Sequence, residues 1–117
     1  MTTIITRLYK DRKTADGVAS QLADAGFRAR DYDVIDSSGG HVAERLSATR
    51  VPSRSAEAYA GPIEAGNALV VVRAEFNPRG AALVAREIVD GTEWLEAGVA
   101  KQDVYVRVEP QLEMQLS

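Results

Sequence analysis

Residues 59–82, YAGPIEAGNALVVVRAEFNPRGAA, decide how the chain is read, because they hold its densest apolar run between two helix signals. Ala68 to Val72 is unbroken apolar sequence, the pattern of a strand buried on both faces of its sheet, so a central strand is predicted over 68–76. Gly66 and Asn67 stop whatever precedes it. Asn77 as N-cap and Pro78 as first helical residue predict a helix after it, with Ala81, Val84, Ala85 and Ile88 as its buried stripe and Asp90–Gly91 as its end.

Working towards the N-terminus, Pro52 suits the first turn of a helix whose Ala56, Tyr59, Ala60 and Ile63 recur at helical spacing. Pro62 lies inside that pattern and lacks the donor that a helix needs, which predicts a kink or an early end near Ala60. A turn or two of helix is read over 41–46, after the loop DSSGG. Residues 3–9 alternate as a strand does, with Ile4, Thr6 and Leu8 on one side and Ile5, Arg7 and Tyr9 on the other. Asp11 caps a helix bearing Ala15, Val18, Ala19, Leu22 and Ala25, which Gly26 terminates. A second strand is predicted over 27–35. Towards the C-terminus, Val104, Val106 and Val108 alternate with Tyr105, Arg107 and Glu109 as a last strand. The parity continues through Pro110, Leu112, Met114 and Leu116.

The order β-α-β, helical insert, β-α-β is that of a split βαβ repeat. The expected fold is therefore α+β: a ferredoxin-like sandwich with a four-stranded antiparallel sheet and a helical insert over 36–66 between its halves. At 117 residues the chain suits a single domain, here assigned to 1–109 with a tail over 110–117. Two helices on one face would leave the other face open. Ile5, Tyr9, Leu69, Val71 and Tyr105, with Arg7, Arg73 and Arg107, are expected on that open face, and such a face needs a cover.

Composition narrows the function. A formal charge of −3 disfavours a nucleic-acid partner. Arg28 and Arg30 are followed by Asp31, Asp33 and Asp36, which are expected to cancel them. The absence of cysteine removes thiolate nucleophiles and Cys-based metal sites. No apolar stretch approaches a membrane span and MTTIITRLYKD lacks the pattern of a signal peptide, so a cytoplasmic location without a membrane partner is expected.

The pieces LADAGF, VPSRSAEAY and GNALVVVRAE resemble the heat-induced stress protein YflT-type domain, a bacterial general stress family, over most of residues 3 to 90. The resemblance implies a small stress-associated protein without an assigned catalytic activity. Pro62 and the continuation of the chain beyond the similar region depart from the family pattern.

Candidate chemistry is sparse. His41, the single histidine, could act as an acid or base only if Glu44 orients it. No metal set and no cofactor motif is legible, and an enzyme is the less expected reading. Arg7, Arg73, Arg107 and, at the helix start, Arg79 are the candidates for holding an acidic ligand. Trp94 and Leu95 either plug the core or join an interface, and Tyr105, Leu112, Met114 and Leu116 are interface candidates through strand addition by the tail. The first expectation is a non-enzymatic, stress-associated interaction module that forms a homo-oligomer, with a protein partner on the tail. The second is a dimeric α+β barrel binding a small molecule in a cavity on the open sheet face.

Overall fold

A computed structural model describes residues 2–75, 80–99 and 101–106. Its elements are β1 (Thr2–Tyr9), α1 (Arg12–Asp24), β2 (Tyr32–Ile35), α2 (Val42–Ser47), α3 (Ser53–Glu64), β3 (Ala68–Glu75), α4 (Ala81–Asp90) and β4 (Asp103–Val106). The four strands form one antiparallel sheet in the order β2-β3-β1-β4. That is the α+β, ferredoxin-like order anticipated from the sequence, with α2 and α3 as the insert between the halves. The strand read over 27–35 is shorter, because Ala29–Asp31 forms a turn of 3₁₀ helix before Tyr32.

Local chemistry sets the element ends. Asp11 accepts hydrogen bonds from the Thr14 amide at 2.8 Å and the Thr14 hydroxyl at 2.7 Å, satisfying a donor at the start of α1. Both α1 and α3 end in the same paired bonds. Gly26 N–H donates to Ala23 O and Phe27 N–H to Leu22 O; Gly66 N–H donates to Ile63 O and Asn67 N–H to Pro62 O. This arrangement requires a positive φ at the residue after the cap, and Gly26 and Gly66 supply it at 103° and 118°. It also accounts for Pro62. The helix does not end near Ala60 but runs through Pro62 to Glu64, because the proline falls in the last turn and its carbonyl serves the termination.

The helix after β3 begins later than expected, at Ala81 with Gly80 before it; Asn77, Pro78 and Arg79 lie outside the described residues. Its buried stripe is Ala85 and Val89, with Ala81, Ala82 and Ile88 packed partly against the core, while Val84 faces outward.

The expectation of an open sheet face is overturned. In β1 and β3 the facing residues are Ile5 and Val72, Leu8 and Leu69, Tyr9 and Ala68. Facing residues share a side of the sheet, so odd positions of β1 go with even positions of β3. One side carries Ile5, Tyr9, Val70 and Val72 against Ala15, Val18 and Leu22 of α1 and Ala85 and Val89 of α4. The other carries Ile4, Leu8, Leu69 and Val71 against Val42 and Leu46 of α2 and Tyr59 and Ile63 of α3. The insert is therefore the cover, and every residue of β1 is buried. Arg7 and Arg73, expected on one face, lie on opposite faces.

Candidate functional site

Arg7 is the sixth residue of β1, a strand buried throughout, with its side chain only 6% exposed. A guanidinium there must be neutralised and hydrogen-bonded. Its Nε donates to Asp90 Oδ1 at 2.7 Å and Nη2 to Asp90 Oδ2 at 3.3 Å, while Nη1 donates to Asp103 Oδ1 at 2.7 Å and to the Thr6 carbonyl at 2.8 Å. Arg86 completes the set, its Nε donating to Asp103 Oδ2 at 2.6 Å. The Trp94 ring lies over the guanidinium, 5.1 Å from ring centroid to Cζ, which places Trp94 against the helix-covered core. Burial alone would lower the Arg7 pKa, but the bonds to the two aspartates outweigh it and the value is raised. Burial likewise would raise Asp103, and the bonds from Arg7 and Arg86 outweigh it and hold its carboxyl below the ordinary range. Two cations meet two anions, tying β1 to α4 and β4, and among the described residues of this network no charge is left over for a ligand.

On the insert side, the Thr6 hydroxyl and the Tyr59 hydroxyl are 2.7 Å apart, both buried. On the helix side, the Tyr9 hydroxyl donates to Val89 O at 2.5 Å, and burial pushes its phenol far above the ordinary value.

Arg73 has a different setting. Its Nη1 donates to Asp33 Oδ2 at 2.6 Å and its Nη2 to the Arg30 carbonyl at 2.7 Å, at the rim of the sheet. It borders a cleft of about 390 Å³ whose other walls are Arg28, Arg30, Asp31, Ala48 and Arg50. The acids expected to cancel Arg28 and Arg30 are largely drawn elsewhere. Asp33 is held by Arg73, and Asp36 pairs with Arg12 at 3.1 Å and accepts from Ser38. Asp31 alone stays with Arg28, accepting from its amide at 2.8 Å and lying 3.5 Å from its Nε.

His41 and Glu44 do approach, Nδ1 to Oε1 at 3.4 Å, yet both side chains are more than 70% exposed, at 74% and 81%. Leu95 donates its amide to Leu8 O at 2.8 Å, extending the pairing along β1 beyond β4. Tyr105, 63% exposed, contacts Arg86 at 3.3 Å through its hydroxyl. Tyr105 faces Thr3, five residues from Leu8, so Leu95 and Tyr105 are separated by roughly 17 Å along β1. Leu83, 57% exposed, stands three residues before Arg86 on the same side of α4 and so adjoins the Tyr105 contact. The sequence reading missed Leu83, Asp90, Asp103 and Arg50. Arg107, Leu112, Met114 and Leu116 lie outside the described residues. Among the described residues no group of acidic and histidine side chains is placed to hold a metal, and no helix is long and apolar enough to cross a membrane.

The described residues form an α+β fold with a filled polar network and without a membrane-crossing helix, and sequence comparison supplies the family. Residues 22–116 match the model of the PucE light-harvesting protein-like family, and the chain belongs to that family. It is also 37% identical over 97 residues to Protein PucD of Rhodobacter capsulatus, covering 80% of this chain and 85% of that protein. No solved structure matches it. These findings overturn the resemblance to the YflT-type stress domain, and with it the stress-associated role. The motifs behind that resemblance are now explained physically: LADAGF is a helix end closed by Gly26, and GNALVVVRAE is a helix end followed by a central strand. Both report geometry that unrelated α+β chains share. The barrel alternative falls with the open face, since α2 and α3 occupy the space its cavity needed.

Proposed function

We propose that this protein is a cytoplasmic accessory of a light-harvesting protein assembly, attached by protein contacts at the edge formed by α4 and β4. Membership of the light-harvesting protein-like family carries the reading. The edge supports the location of the contact: among the described residues β4 ends the sheet, and beside it Leu83 and Tyr105 expose apolar surface around Arg86. An exposed tyrosine beside an arginine is a composition enriched at contact centres, and Leu83 adds apolar surface next to it.

The test is gradient sedimentation of solubilised membranes from cells that make both this protein and light-harvesting proteins. The protein is expected in the pigmented fraction, and Leu83→Asp with Tyr105→Asp is expected to release at least tenfold more of it. Wild-type protein found only at the top of the gradient would refute the reading. Self-association is the second reading, favoured because an edge strand offers unpaired backbone groups to another copy. Sedimentation of the purified protein, with and without Tyr105→Asp, separates the two.

A further inference from the structure

We infer that the arginine cleft beside β2 and β3 is a binding site for a phosphate group. Among the described residues, four that bear guanidinium groups line it, Arg28, Arg30, Arg50 and Arg73, with one carboxylate, Asp31, in the wall and Asp33 behind Arg73. Setting these four cations against those two acids leaves, among the described residues, an excess of two positive charges in a concave space. The network around Arg7 shows what this chain does when an arginine serves the fold alone: two carboxylates answer Arg7 and Arg86. In the cleft, Arg30 and Arg50 have no ion pair among the described residues.

Arg50 adds an independent observation. Its φ is +72°, a conformation that costs a non-glycine residue stability. Thr49 and Val51 on either side are buried, and the Thr49 hydroxyl donates to Leu46 O at 2.6 Å. These anchors turn the backbone so that residue 50 meets the cleft, where glycine would be the unstrained choice. Arg73 is similarly fixed, by Asp33 and by the Arg30 carbonyl, so its guanidinium is oriented before any ligand arrives.

The lining also selects the ligand's chemistry. Among the described residues Ala48 is the sole apolar side chain in the wall, and that lining offers no seat to an acyl chain or an aromatic ring. Its volume of about 390 Å³ is at the small end of ligand pockets. Guanidinium forks match the oxygen spacing of phosphate, and several together suit a dianion. The ligand is thus a small phosphate-bearing group, either free in solution or the headgroup of a phospholipid whose tails stay outside. This inference is independent of attachment to a light-harvesting assembly.

The experiment measures binding of inorganic phosphate to the full chain by calorimetry, and flotation with vesicles of phosphatidylcholine containing phosphatidylglycerol. Wild type is compared with the double variant Arg30→Gln, Arg50→Gln and with Arg12→Gln, which lies outside the cleft. Saturable phosphate binding, weakened roughly tenfold or more by the double substitution and unchanged by Arg12→Gln, is expected. If phosphate binds and vesicles do not, the source is a soluble phosphate. If vesicles float the protein and phosphate competes them off, the source is a headgroup. The absence of saturable binding in both arms overturns the inference, as does binding that the double variant retains in full. Circular dichroism of the double variant confirms that it folds.

Discussion

Arg7 and Arg73 sit on neighbouring strands, both project from the sheet, and they meet opposite fates. Arg7 enters the side covered by α1 and α4, where Asp90, Asp103 and Trp94 enclose it. Arg73 emerges at the rim of the side covered by the insert, keeps one carboxylate and joins three further arginines. The difference teaches that pairing, more than residue type, separates an arginine held for the fold from one available to a ligand. A buried cation must be matched within the molecule. A rim cation can leave its charge to be matched by something that binds.

The largest expected effect is at Arg7. Replacement by Ala removes its buried stem as well as its bonds, and unfolding in urea should show a loss of about 3 kcal/mol. A loss below about 1 kcal/mol would break the comparison by showing that Arg7 is not holding the sheet to α4 and β4. The network also predicts a pH dependence. Asp103 has its folded pKa lowered, so its contribution is full above the unfolded value near 3.8 and is lost as pH falls through the folded value. Stability measured from pH 6 down to 2 should fall more steeply below about pH 4 in wild type than in Arg7→Ala.

Tyr59→Phe comes next. It leaves the Thr6 hydroxyl without its buried partner at 2.7 Å, for an expected loss of about 1 kcal/mol by the same urea measurement. On the cleft side the sign reverses. Arg50→Gly should stabilise the protein by about 1 kcal/mol, since glycine relieves the positive φ, while it weakens phosphate binding. Stabilisation together with lost binding is the signature of a residue kept for a ligand. The smallest effect is expected at His41: the exposed pair with Glu44 contributes little, and His41→Ala should change stability by no more than about 0.5 kcal/mol.

The sequence made β3 legible because five consecutive apolar residues, Ala68 to Val72, admit no amphipathic alternative. Asp11, Gly26 and Gly66 were legible for the same local reason, as caps whose chemistry is written in one residue. What pairs with what was not. Whether Arg7 shares a face with Arg73 depends on the β1–β3 register, and a shift of one residue reverses the answer. No periodicity within either strand contains that offset. The cover supplied by α2 and α3 was hidden similarly, since their stripes of Val42, Leu46, Tyr59 and Ile63 show that they bury a face without naming the face they meet. The cleft was missed because Asp33 and Asp36 adjoin Arg28 and Arg30 in sequence but pair with Arg73 and Arg12 in space. Family membership came from none of these signals, since caps and central strands are shared by chains of different descent.

The most direct test of the contrast between the two arginine settings is an NMR titration with inorganic phosphate that follows the arginine side-chain Nε–H signals. The signals of Arg30, Arg50 and Arg73 are predicted to move together and saturate, while that of Arg7, already donating to Asp90, stays in place. Signals that do not move, or that move alike for Arg7 and the cleft arginines, would contradict the account.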